Sequence, residues 1–309
     1  MNPLRMAIVG VGKIARDQHI PALRANPSFE LVACASRNAM VEGVANFTSL
    51  DDMLRERPDI DAVAICSPPQ AHYPAARLAL DRGKHVVLEK PPCATTAQLD
   101  HLSRLAQDCG RTLFQTWHSQ HAAGVEPAAR WLQTRVVRAV QVTWKEDVRQ
   151  WHPGQAWIWR AGGFGVFDPG INAISILTRI LPQPLYATAA SLFVPANCDA
   201  PIAADVTFET DGGARIEAAF DFRHTGLQTW DIDIETDGGA LRLSAGGSTL
   251  AIDGEPVVLE ATDGEYPSLY RRFAELIEAR TSEVDARPFQ LVADAFLVAR
   301  RFVVEAFED

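Results

Sequence analysis

The decapeptide Met6–Ala15, MAIVGVGKIA, leaves little choice of local structure. Four apolar residues of strand type run into Gly10, and the chain must then turn before a helical pattern begins. The spacing Gly10-x-Gly12-x-x-Ala15 gives each position a task. Gly10 allows the tight turn, Gly12 lets backbone amides approach a phosphate at a helix N-terminus, and Ala15 keeps helix and strand close. A G-x-G-x-x-A string alone says little; at a first strand-to-helix junction it specifies a dinucleotide site.

The residues that follow repeat the grammar. Apolar runs FELVACAS, DAVAICS, HVVLE and RTLFQTW alternate with helical stretches such as PPQAHYPAARLALDRG and TTAQLDHLSRLAQDCG. These stretches open on proline or polar residues and close on Gly83 and Gly110, where a helix end favours a left-handed residue. Strand and helix in alternation predict a parallel sheet covered on both faces.

Beyond about residue 125 the period changes from that of helix to that of half-buried strand. In WDIDIET, Trp230, Ile232 and Ile234 face one way while Asp231, Asp233 and Glu235 face the other. TDGGA occurs at 210–214 and again at 236–240, each time between strand-like runs, which predicts two hairpins. One helix, DPGINAISILTRIL, interrupts the region and two more are expected to close the chain. The fold class is therefore α/β: an N-terminal Rossmann domain over 1–120, then an α+β domain over 121–309 with an open, mostly antiparallel sheet. The C-terminal helix is free to pack back on the first domain, and the second sheet is where a homo-oligomer would form.

Composition narrows the function classes. A net charge of -10 argues against a nucleic-acid partner, because such proteins carry a basic stripe. No apolar run approaches about 18 residues, so no membrane span is expected. MNPLRMAIVGVG enters a strand without a leader pattern, and five scattered cysteines suit free thiols in a reducing cytoplasm. None is spaced for zinc, and His118 with His121 lacks a third ligand, so no metal is expected.

Two strand ends carry chemistry. The second strand ends ACASRNA, where an NAD site usually offers an acid to the ribose hydroxyl. Ser36 and Arg37 suit a 2′-phosphate instead, which favours NADP with NAD as the alternative. The stretch HVVLEKPP ends a core strand in Glu89 and Lys90. In an open parallel sheet, ligands sit beyond the carboxyl ends of strands, so this pair is aimed at a ligand.

GVGKIA, the strand-end EKP (Glu89-Lys90-Pro91) and GGFGVFDPGIN (162–172) together resemble the glucose-fructose oxidoreductase, inositol dehydrogenase and rhizopine catabolism family. At finer grain, GKIARDQHIPA, TLFQTWHS, WKEDVRQWHPGQ and FDPGINAISI look like the bacterial L-arabinose and D-galactose 1-dehydrogenases. The resemblance implies an NAD(P)-dependent enzyme that oxidises C1 of a pyranose sugar to the lactone. It implies Lys90 and Asp168 as catalytic residues, with a cis Lys90–Pro91 peptide and Glu89 paired to the lysine. The sugar would meet Lys90, His118, Glu146, His152, Asp168, Asn172, Trp151 and Trp230. The cofactor would meet Gly10, Gly12, Lys13, Ile14, Ser36, Arg37, Ser67, Pro68, His72, Glu89, Lys90, Trp117 and His118. One departure stands out. The wider family's Asp-x-Gly-x-His is here Asp168-Pro-Gly-Ile-Asn172, and asparagine cannot titrate, which puts an Asp–His pair in doubt and leaves Lys90 or Asp168 to take the proton. Asp168 also reads as a helix N-cap ahead of Pro169. Two rivals stay open: a non-catalytic sugar-sensing regulator of the same fold, and a cyclic polyol dehydrogenase.

Overall fold

The structure is a computed structural model that describes residues 2–308. The chain divides into two units, Met1–Trp117 with Asp263–Ala286, and His118–Thr262 with Arg287–Asp309.

The first unit is built on six parallel strands: β1 Leu4–Val9, β2 Phe29–Ala35, β3 Ala45–Phe47, β4 Ala62–Ile65, β5 His85–Leu88 and β6 Leu113–Gln115. Their order is β3-β2-β1-β4-β5-β6. The central strands are buried along their length, as sheets covered on both faces require. The helix after β1 begins with a π turn, Ala15–His19, and continues as α1 Ile20–Ala25. Then come α2 Leu50–Glu56 and α4 Thr96–Asp108, capped by the side chains of Ser49 and Thr95, and between them α3 Pro69–Asp81. The strand order reverses at β1, between β2 and β4, which puts the glycine loop at the switch point. Gly10 has φ +85°, and a Cβ there would stand 2.7 Å from the Ser67 nitrogen; only glycine fits.

The segment Asp263–Ala286 completes this unit. Its helix, Glu265–Ala279, buries Tyr266, Leu269, Tyr270, Phe273 and Leu276 in the same core as Met6, Ile8, Leu23, Phe29 and Phe114. Phe273 stacks on Phe29 at 5.9 Å and on Phe114 at 6.2 Å. Just beyond, Glu283 exchanges backbone hydrogen bonds with Leu113 and Gln115, pairing the free edge of β6. A boundary at 120 leaves this segment in the other domain, and the returning helix is the penultimate one, not the last. An amphipathic stripe shows that a helix buries one face, not which core receives it.

The second unit is a nine-stranded sheet in the order β14-β13-β12-β11-β7-β10-β9-β8-β15. Its strands are β7 Val137–Lys145, β8 Leu185–Pro195, β9 Ala203–Thr210, β10 Arg215–Asp221, β11 Thr229–Thr236, β12 Gly239–Ser244, β13 Thr249–Ile252, β14 Glu255–Pro256 and β15 Ala299–Val304. All neighbours are antiparallel except β7 with β10 and β8 with β15. Both TDGGA turns join antiparallel neighbours, β9 to β10 and β11 to β12. Its helices are α5 Val125–Leu132, the short α6 Val148–Trp151 and α7 Phe167–Ile180, followed by α9 Arg287–Val298 once the helix 265–279 is counted as α8. α7 is almost wholly buried, and Gly170 lets it close on the Phe220 ring, where a Cβ would meet the ring at 2.8 Å. Phe296 of α9 meets Phe167 at 5.3 Å.

The ending differs from expectation: a strand, β15, follows the last helix. Its residues pair with β8 in register Ala299↔Ala190, a long-range partnership no local pattern reveals. Among the described residues, no helix is long and apolar enough to cross a membrane.

Candidate active site

In the first unit, Gly12 and Lys13 are exposed at the head of the helix and Ile14 is half-buried. Nothing lies within 4 Å of where a Gly12 Cβ would be, so its backbone is open to an approaching phosphate. Lys13 pairs with Asp17 one turn on. Ser36 and Arg37 follow β2 directly; the Ser36 amide donates to the Phe47 carbonyl at 2.8 Å, and Arg37 is exposed. Ser67 and Pro68 leave β4 beside Gly10. These residues fit a dinucleotide: a glycine cradle at the switch point and a guanidinium past the second strand.

Two residues expected at the cofactor are held by backbone carbonyls. His72 is 0% exposed, with Nδ1 3.1 Å from the Pro92 carbonyl and Nε2 on the Ser67 carbonyl. It ties the Ser67 and Pro92 loops together, and burial pushes its pKa below the usual histidine value. Trp117 is also buried, and its indole N–H donates to the Asp285 carbonyl at 2.9 Å.

Lys90 lies just past β5, half-buried, with a cis bond to Pro91. Its backbone N–H donates to Glu89 Oε2 at 2.6 Å. Glu89 is 3% exposed, and its Oε1 meets His19 Nε2 at 3.1 Å and accepts from the Tyr266 hydroxyl at 2.9 Å. The glutamate thus faces a buried histidine and phenol as well as the lysine's amide. His19 lies in one of the strings that carry the resemblance, but its meeting with Tyr266 had no sequence signal, because topology alone brings residues so far apart in the chain together.

In the second unit, Glu146 leaves the end of β7 and is 2% exposed. Its Oε2 accepts the Trp230 indole N–H at 2.8 Å, and its Oε1 stands 3.1 Å from His152 Nε2. On the other side of the ring, His152 Nδ1 lies 3.7 Å from Asp168 Oδ2. Asp168 is 4% exposed and second in α7, whose N-cap is Val166, so the N-cap reading fails. Asn172 follows one turn later, half-buried. Trp151 lies 4.9 Å from Trp230, and Phe222 flanks His152 at 5.4 Å. His118 sits in a 3₁₀ turn, His118–His121, with Nδ1 3.3 Å from the Ser119 hydroxyl.

The doubt raised by Asn172 meets a particular geometry: His152 Nδ1 is buried without a hydrogen bond among the described residues, at ion-pair distance from Asp168 Oδ2. A histidine does stand beside Asp168, but it comes from the segment after β7 and not from the helix position four residues on. The result is a row of carboxylate, imidazole and carboxylate, closed by an indole donor. Such a row can move or hold a proton and can pair with hydroxyl groups, while the tryptophan faces can cover C–H surface.

Comparison with known proteins identifies the family. Residues 4–116 match an oxidoreductase family with an NAD-binding Rossmann fold. Galactose 1-dehydrogenase of Pseudomonas fluorescens is 46% identical over 312 residues, covering 100% of both chains. The crystal structure of a D-galactose-1-dehydrogenase protein from Rhizobium etli superposes with a TM-score of 0.94 at 54% identity, covering 100% of this chain and 99% of that one. A 3-ketoreductase from Actinomadura kijaniata, solved with TDP-benzene and NADP, shares the fold at TM-score 0.85 and 21% identity, covering 98% of this chain and 100% of that one. The glycine loop, the lysine after β5, the Asp168 helix and a full-length likeness converge: the chain is an oxidoreductase and belongs to the glucose-fructose oxidoreductase, inositol dehydrogenase and rhizopine catabolism family.

Proposed function

We propose that this enzyme is a cytoplasmic, NADP-preferring aldose 1-dehydrogenase acting on L-arabinose and D-galactose in their pyranose forms. The observation that carries the reading is the Glu146–His152–Asp168 row with its tryptophans, supported by full-length likeness to a galactose 1-dehydrogenase. When bound, the nicotinamide supplies the acceptor for the hydride of C1. The chain's own residues handle the rest. Lys90 or Asp168 takes the proton of the C1 hydroxyl as the lactone forms, and His152 stands beside Asp168 at ion-pair distance. Glu146, His152 and Asn172 pair with the ring hydroxyls, and Trp151 and Trp230 cover the sugar's C–H surface.

The two sugars share their hydroxyl arrangement at C2, C3 and C4 and differ at C5. A site reading those three hydroxyls accepts both. D-glucose is inverted at C4 relative to D-galactose, leaving a polar group of the site unpaired at about 1–3 kcal/mol. Its kcat/KM is therefore expected to be about 5- to 150-fold lower than that of D-galactose. Steady-state kinetics on an aldose panel, followed by nicotinamide reduction, test the whole reading. Glucose matching galactose overturns the hydroxyl assignment, turnover of a cyclic polyol in place of aldoses favours the polyol rival, and binding without turnover favours a sensor.

Cofactor choice has its own test. Arg37→Ala removes the guanidinium proposed to meet the 2′-phosphate, a charge-assisted contact that contributes about 1.5–3 kcal/mol. The expected loss in kcat/KM for NADP is about tenfold or more, with NAD nearly unaffected. Equal losses for both cofactors remove Arg37 from that role.

A further inference from the structure

Tyr266 and Tyr270 lie one turn apart on α8, and both side chains are buried in the first unit. Tyr270 Oη stands 2.6 Å from His19 Nδ1, and His19 itself is 1% exposed. From His19 the contacts continue to Glu89 Oε1, which also accepts from Tyr266, and end where Glu89 Oε2 accepts the Lys90 amide. Neither the dinucleotide nor the sugar requires the inner part of this chain of contacts. A buried carboxylate is costly unless its lone pairs are filled, and here a ring nitrogen, a phenol and an amide face them.

The groups facing His19 come from several elements. Cys66 lies past β4, Glu89 past β5, and Tyr266 and Tyr270 on α8, with Glu265 next to Tyr266. Burial works against an imidazolium at His19; Cys66, Tyr270 and Glu89 work for it, and the balance lies well above the usual histidine value. Burial, with Glu89 adding to it, also raises Tyr266 well above the usual tyrosine value, so its phenol stays protonated as a donor to the carboxylate.

We propose that His19, Tyr266 and Tyr270 are positioning residues for the reaction: they fix the Glu89 carboxylate, which holds the Lys90 backbone and sets where its amine begins. The proposal rests on the reading of Lys90 as a residue that handles the proton. Small errors in placing a reacting group are costly, about 100-fold for 1 Å, so a loosened Glu89 should be visible in turnover.

Tyr266→Phe and Tyr270→Phe each delete one oxygen from the full-length enzyme, and Lys90→Ala is measured beside them. For each tyrosine variant we expect kcat on D-galactose to fall about 10- to 100-fold with KM for NADP within about threefold. Glu89→Gln should give the same split, and if it fails to fold the tyrosine variants carry the test. A lowered melting temperature with kcat unchanged reduces the network to a structural brace and overturns the proposal. If Lys90→Ala itself keeps near-native kcat, the underlying reading of Lys90 fails; if it is inactive while the tyrosine variants run normally, only the positioning role fails.

Discussion

Lys90→Ala should reduce kcat on D-galactose by about 100- to 10,000-fold, the usual contribution of a positioned acid or base. The expectation follows from where the residue stands. It is the second residue past β5, at the carboxyl edge of a parallel sheet, where ligands of this fold bind. Its amide is held by Glu89, whose other oxygen meets a buried histidine and phenol. The glycine loop and Arg37 are untouched by the change, so the dissociation constant for NADP should move only by a small factor. Rapid-mixing kinetics separate these quantities. Near-native turnover, or a collapse of cofactor affinity with turnover intact, would remove Lys90 from the chemistry.

The second large effect belongs to Asp168. Asp168→Asn keeps the shape of the side chain while removing its charge and its ability to take a proton. The residue is buried, lies 3.7 Å from His152 Nδ1, and does not cap its helix. Stability should therefore change little, while kcat falls about 100-fold or more. Circular dichroism melting beside steady-state kinetics decides between a chemical and a structural role. A variant with near-native kcat and a depressed melting temperature would make the carboxylate part of the scaffold alone. The effect of His152→Gln should run in parallel, since the imidazole meets Glu146 at 3.1 Å and lies beside Asp168 at 3.7 Å.

Sequence alone showed most of the architecture where structure is local. The glycine loop, the alternation of strand and helix, and both TDGGA hairpins depend on neighbours within a few residues, and they stand where their patterns put them. What stayed hidden depends on distant partners. β15 takes its form from β8, and α8 takes its place from Phe29 and Phe114. The same division runs through the candidate site. Glu146, His152 and Asp168 could each be singled out by motif, but that a histidine from the segment after β7 would lie beside the α7 aspartate is a fact of packing. His72 and Trp117 are held in the same way, by the carbonyls of Pro92 and Asp285 that only the folded chain brings to them.

The helix α8 also bears on how the protein is made. A ribosome releases residues 1–117 long before residues 263–286, yet both belong to one unit. Until α8 emerges, Phe29 and Phe114 lack the ring they stack on, and His19 and Glu89 lack both phenols. The nascent nucleotide-binding half is therefore an incomplete body with a polar pair exposed where its core should be. The second sheet can pair its strands through β14 in the meantime, since those partners are already synthesised. The lysine-bearing edge of β5 thus gains its buried phenol partners only after the whole of residues 118–262 has been synthesised.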